Sequence, residues 1–304
     1  MQTFSEFARA CGVLVGDLYP SDRIRRCATT AHERSKNGAY FWDGKRGWVK
    51  AWDGDGEVHW YGGELKPLTE EEKRAWARKR DAEKQRRLAK QALAARHAEA
   101  LIRSCHANEH GYLHRKGFPD MRGLVTPDDT LLIPMRDVSD NRLLGVQKVS
   151  WDAGARKWVK RMATGMRATG AVLRLGPVRA TETILCEGYA TGLSIEAAVR
   201  QMRLSAAVMV CFSASNMVHV ANLLKGLRYC FADHDDTTKP EKEKRDRGEP
   251  FESRGPGELA AIEAGLAYCM SDVLGEDAND LHQRAGLLAV AMRLSTARRA
   301  AMAI

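Results

Sequence analysis

From about residue 110 the chain turns to short apolar runs alternating with stretches whose apolar residues recur at helical spacing. Residues 130–135 and 143–149 read as strands, with 158–160 as a candidate third. An apolar run at 184–186 leads into helical spacing over 191–202. The run 206–212 leads into 217–225, and 228–232 is a further strand. Residues 236–256 are nearly free of apolar side chains and are expected to form a mobile loop. Beyond them a helix is expected over 258–269 and a last short strand around Val273. Strand alternating with helix predicts an α/β fold with a parallel, doubly wound sheet.

The front of the chain is patterned differently. Helical spacing over 4–15 is broken by Tyr19-Pro20-Ser21-Asp22. Aromatic stretches follow, separated by Asn37-Gly38, Asp43-Gly44 and Asp53-Gly54, pairs suited to hairpin turns. Four of the seven tryptophans, Trp42, Trp48, Trp52 and Trp60, fall there. Most are expected to be the core of so small a module; an exposed pair beside Lys45, Arg46 and Lys50 could instead stack on bases. Residues 69–104 predict a long polar helix, with Thr69 capping and Glu72 returning the bond. Its apolar stripe is thin (Trp76, Leu88, Ala92, Ala95, Leu101), as in a solvated spacer or a basic helix along phosphates. The organisation read from this is a β-rich module over 1–64, a helical linker over 65–109, a basic α+β subdomain over 110–178 and an α/β domain over 179–304.

Composition narrows the function. The 304 residues carry a net charge of +9 with a pI near 9.3, which favours an acidic partner such as a phosphate backbone. No apolar run approaches the ~20 residues that span a bilayer, and the first residues do not read as a secretory signal. A cytoplasmic protein without a membrane partner is expected. Seven scattered cysteines without a CxxC pair argue against a disulfide framework and a zinc ribbon. Cys186, Cys211 and Cys230 lie in apolar runs and read as buried strand thiols.

The candidate chemistry sits at strand ends. The strand ending at Cys186 runs into Glu187-Gly188 and then a helix, which sets a carboxylate at the carboxyl edge of a parallel sheet, where open α/β folds place ligands. The strand over 228–232 ends in Asp233-His234-Asp235, with Asp236 beyond. Carboxylates at i and i+2 can converge on a hard cation, and magnesium takes one or two of them with water or phosphate. Asp277 and Asp280 follow the last predicted strand and could add ligands or orient water; Asn279 and Asp280 equally well cap a helix starting at Leu281.

These residues, in this order, resemble the Toprim domain shared by bacterial-type primases, topoisomerases and some nucleases. The fuller run resembles the Toprim primases of plasmids and phages: Glu187-Gly188-Tyr189-Ala190-Thr191-Gly192, Phe212-Ser213-Ala214-Ser215-Asn216, Asp233-His234-Asp235-Asp236, Gly257-Glu258 and Asp277-x-x-Asp280-Leu281-His282. Tyr112-Leu113-x-x-Lys116-Gly117, Ile133–Asp137 and Leu144–Gln147 resemble the basic subdomain that precedes it. The resemblance covers roughly residues 110–285. It implies a Rossmann-like Toprim catalytic domain behind a basic α+β subdomain and a small β-rich N-terminal module. It further implies a nucleotidyltransferase that makes short RNA primers on single-stranded DNA from nucleoside triphosphates, in phage or plasmid replication in a bacterial cytoplasm. Asp233 and Asp235 would hold Mg2+ or Mn2+. Glu187 would be a further ligand or the acceptor of the 3′-hydroxyl proton, and Asp277 and Asp280 possible additional ligands. Lys116, Arg136, Lys148, Lys157, Lys160, Arg167 and Asn216 would meet template or triphosphate.

The sequence also departs from that pattern. The N-terminal module lacks the four ligands of a zinc ribbon, so no zinc is expected. There is no P-loop, so any replicative helicase would be a separate chain. Two other readings use the same residues: a Toprim nuclease or strand breaker, with Tyr189 a weak nucleophile candidate, and a non-catalytic nucleic-acid-binding accessory protein.

Overall fold

The structure is a computed structural model describing residues 2–33, 36–62 and 70–303. It divides into two compact units, Met1–Arg80 and Asp81–Ile304. The first is a five-stranded antiparallel sheet under one short helix. α1 (Phe4–Ala10) begins with a capping box between Thr3 and Glu6 and ends as Gly12 turns the chain. β1 (Val13–Leu14), β2 (Ser21–Thr29), β3 (Gly38–Trp42), β4 (Gly47–Ala51) and β5 (Val58–Tyr61) then pair in chain order. Period-2 alternation sends Tyr40, Val49 and Ala51 towards Phe4 and Ala8 of α1, with Trp42 and Tyr61 packed around them. The helical spacing therefore extends only to Ala10, because Val13 and Leu14 join the sheet.

α2 (Glu70–Arg103) is the expected long helix. The Thr69 cap lies outside the described residues. The buried stripe of its C-terminal half is Ala94 and Ala98, with Leu101, Ile102 and Cys105 packed against Leu132 and Val146. Leu88 and Leu93 stay exposed.

The second unit is built on one mixed sheet. β6 (His106–Asn108), α3 (Gly111–Arg115), β7 (Gly123–Val125), β8 (Leu131–Asp137), β9 (Leu143–Asp152), β10 (Lys157–Met162) and β11 (Ala171–Leu175) form its antiparallel half. The other half contains β12 (Glu182–Cys186), α4 (Tyr189–Gln201), β13 (Ala206–Val210), α5 (Ala214–Leu223), β14 (Leu227–Phe231), α6 (Lys239–Asp246), α7 (Pro256–Glu263), β15 (Ala267–Cys269) and α8 (Ala278–Met302). The order along the sheet is β10-β9-β8-β11-β13-β12-β14-β15. β13, β12, β14 and β15 are mutually parallel, and β11 joins them antiparallel to β13. The expected parallel sheet is thus the end of a larger mixed one.

Alternation along these strands builds two cores. Ile184, Cys186, Val208, Val210, Tyr229 and Phe231 face α4 and α8. Leu185, Met209, Cys211, Cys230 and Ala232 face α5 and α7. Helices therefore cover both faces, as expected of a doubly wound unit. The strand thiols Cys186, Cys211 and Cys230 are free and buried. At the far end of the sheet the Glu182 carboxylate is buried. It accepts from Tyr229 Oη at 3.0 Å and from Arg298 Nε at 2.8 and 3.0 Å, which pins α8 to β12 and β14.

Three local expectations are corrected. The helix expected over 258–269 stops at Glu263; Gly265 in the left-handed region reverses the chain, and Ala267–Cys269 become the last strand. Val273 lies in the turn after it, not in a strand. The polar insertion contains α6, with Pro240 in its first turn and ion pairs Lys239–Glu243 and Lys244–Glu241 along it.

Candidate active site

The loops after β12, β13 and β14 and the start of α8 meet at the carboxyl edge of the parallel strands. Glu187 follows β12 directly, and Gly188 caps α4. Phe212 holds φ at +65°, a conformation a bulky side chain adopts only under constraint, and its N–H donates to the Glu187 carbonyl at 2.8 Å. That turn starts α5 and lets the Ala214 N–H reach the Glu187 carboxylate. Asp233 and Asp235 leave β14, where Gly255 and Gly257 press the start of α7 against them. A Cβ on Gly255 would stand 2.2 Å from the Asp235 carbonyl oxygen, and one on Gly257 3.0 Å from that of Asp233. Only glycines allow so close an approach.

The acids crowd one another. Burial, then the charges of Asp277, Glu187 and Asp235, push the Asp233 carboxyl up to about 8, with Lys160 opposing. Its Oδ1 is enclosed and has no hydrogen-bond partner. Burial and then Asp235 raise Glu187, against Lys160 and the Ala214 N–H. Asp235 is exposed. An enclosed, unpartnered carboxylate oxygen under like-charge pressure is the environment a hard divalent cation relieves. Among the described residues no three His, Cys, Asp or Glu side chains close into a metal cage.

Asp277 and Asp280 form the capping box of α8. Asp277 Oδ1 accepts from Asn279 N at 2.6 Å and Asp280 N at 3.0 Å, and Asp280 Oδ2 accepts from Asp277 N at 3.3 Å. The helix begins at Ala278, three residues before the expected Leu281. Asp280 also meets Lys116 Nζ at 3.5 Å, and the buried Asn279 donates to Lys116 O at 2.8 Å and Ser194 Oγ at 3.0 Å. These bonds tie the end of α3 to the start of α8, and α8 to α4.

No family model matches this sequence, and no curated protein matches it. Among solved structures, a chain from the bacteriophage T7 lagging-strand DNA polymerase interacting with primase domains of two gp4 subunits, bound to an RNA/DNA hybrid and dTTP, aligns with part of it. The match covers 55% of this chain and 78% of that one, at 13% identity and a TM-score of 0.35. Likeness at that level decides neither fold detail nor function.

The basic residues expected along one path fall into groups. Lys160 opposes the charge of Glu187 and Asp233, and its Nζ lies 5.6 Å from the Tyr112 ring centroid. Lys116 pairs with Asp280 at 3.5 Å. Strand alternation turns Lys148 and Lys157 to the opposite face of β9 and β10 from Lys160, and Arg136 shares that face through Leu132 and Val146. Arg136 and Arg167 line a cleft of about 700 Å³ beside α2. Arg167 is paired with the buried Asp137. Asn216 is engaged inside the fold: its Oδ1 accepts from Gly170 N at 2.7 Å, and its Nδ2 donates to Ala171 O at 2.8 Å and Cys211 O at 2.7 Å. Both amide hydrogens are used, and these bonds hold the β11 and α5 junctions. The constrained Phe212 and the close-packed Gly255 do not stand out as site residues in the sequence. A two-glycine run around a proline, Gly255-Pro256-Gly257, is the available signal for the second.

Proposed function

We propose that the chain is a Toprim-type primase, a nucleotidyltransferase that makes short RNA primers on single-stranded DNA from nucleoside triphosphates. The observation that carries this is the Asp233 carboxyl, its Oδ1 enclosed and unpartnered and the group crowded by Glu187, Asp235 and Asp277 at the carboxyl edge of parallel strands, with Lys160 opposite. Asp233 and Asp235 would hold Mg2+ or Mn2+. When bound, such ions supply charge neutralisation at the attacking and leaving oxygens of phosphoryl transfer. Glu187, half-buried and raised above an ordinary glutamate, suits acceptance of the 3′-hydroxyl proton at its carboxylate. Lys160 supplies a cation on the triphosphate side, and Lys116 holds the start of α8 in register through Asp280. A phage or plasmid setting, a separate helicase and a cytoplasmic location complete the reading. For the last, no described helix is long and apolar enough to cross a membrane.

Strand breakage by Tyr189 fits less well. Burial, then the neighbouring Tyr112 and Glu196, push its phenol up to about 12, and its ring packs into the core beside Tyr112. The test is incubation of purified protein with magnesium and nucleoside triphosphates on a panel of single-stranded templates. Short RNA products support the reading. Nicking of supercoiled DNA without nucleotides, and no RNA product, contradicts it.

A further inference from the structure

The first unit presents a face that α1 does not cover. The register β3–β4–β5 sets Phe41 opposite Trp48 and Trp48 opposite Trp60. These three rings form one row across the sheet, on the side away from α1. The adjacent row runs Arg26, Ala39, Lys50 and Val58, by the same register. It holds two cations and no carboxylate. Trp60 is 54% exposed, and Trp52, just past β4, is 46% exposed. The Arg26 guanidinium lies 4.0 Å over the Trp52 ring, and Lys50 Nζ lies 5.9 Å from it. Arg26 is held there by bonds from Nε and Nη2 to the Lys36 carbonyl, at 3.2 and 2.8 Å. Trp76 of α2 leans on Phe41 at 6.5 Å between centroids and closes one end of the row.

Trp52 and Trp60, exposed beside the half-buried Phe41 and Trp48, make an aromatic patch of the kind that marks an interaction site. The chemistry of the rows selects the partner. Rings at facing register positions of adjacent strands offer successive stacking platforms. Cations in the next row lie where phosphates of the same strand would run. Two turn acids of this unit are engaged elsewhere, Asp53 by Thr29 and Asp55 by His59 at 2.8 Å. A single strand brings bare base faces and phosphates together; a duplex keeps its base faces stacked inside. We infer that the row Phe41–Trp48–Trp60, with Trp52, Arg26 and Lys50, is a single-stranded nucleic-acid docking surface, separate from the acidic centre and independent of whether that centre makes primers.

The test is anisotropy of labelled oligo-dT titrated with the full chain, alongside quenching of intrinsic tryptophan fluorescence. Trp60→Ala is expected to weaken binding about ten-fold, because loss of one stacking platform has that effect. Trp52→Ala should act in the same direction, and Trp60→Phe should retain most of the affinity. Lys50→Gln should reduce the slope of log affinity against log salt by about one. Circular dichroism and melting of each variant check that the sheet is intact; both tryptophans are largely exposed. Unchanged oligo-dT affinity in folded Trp60→Ala and Trp52→Ala overturns the inference. So does a wild-type dimer in sedimentation that Trp60→Ala dissociates without affecting DNA binding, since the face would then pair with a second copy. Absence of primer synthesis with these results unchanged would count against the catalytic reading alone.

Discussion

Replacing Asp233 by asparagine removes an acid whose ionisation the fold opposes, while keeping the side chain's shape. The Asp233 carboxyl is pushed up to about 8 from the 3.8 of an ordinary aspartate. Between those values the unfolded chain has released the proton and the folded protein keeps it. Stability of the metal-free protein therefore falls as pH rises from about 4 to about 8. At about 1.4 kcal/mol for each pH unit, the penalty accumulated by pH 7 is at most about 4 kcal/mol. Asp233 is only half-buried, and solvent screening reduces this to about 2 kcal/mol. For a unit of this size that corresponds to about 4–8 °C in Tm. Scanning calorimetry in EDTA at pH 7 should show Asp233→Asn melting higher than wild type, with the difference shrinking towards pH 5. Magnesium should raise the wild-type Tm and leave the variant's nearly unchanged. A variant that melts at or below wild type in EDTA, at every pH, would refute the reasoning.

Other consequences follow from the packing. Gly255→Ala should abolish activity and also lower stability, because the new methyl meets the Asp235 backbone, which must shift; steady-state assay beside calorimetry checks this. Arg298→Met should destabilise by about 3 kcal/mol by leaving Glu182 buried without its partner, measured by urea unfolding. Asp277→Ala removes the cap of α8 and should cost about 1 kcal/mol in the same assay.

Much of the parallel half is legible in the sequence because it is patterned on one repeated unit. Apolar runs ending in an acid and a turn mark β12 and β14 and, with them, Glu187, Asp233 and Asp235. β11 escapes such a reading: it is a five-residue strand between Gly170 and Gly176, antiparallel to its neighbour, with no helix to announce it. α8 shows only at its cap, since Gly286, with φ of +80°, interrupts a run dominated by small residues. α6 is hidden by its charge, which stabilises it through pairs three and four residues apart rather than through burial. The basic residues are identifiable as charges but cannot be sorted by face, because the face depends on strand register. Lys160 reaches the acids while Lys148 and Lys157 turn away, a distinction set by single positions along β9 and β10.

The central claim, that these acids catalyse templated nucleotide transfer, is tested most directly by labelled-nucleotide incorporation on single-stranded templates. Magnesium would be titrated, with Asp233→Asn and Glu187→Gln run beside wild type. The account predicts short, template-dependent RNA that appears with magnesium and is lost in both variants. Wild-type protein that makes no product on any template, or variants that make as much as wild type, would contradict it.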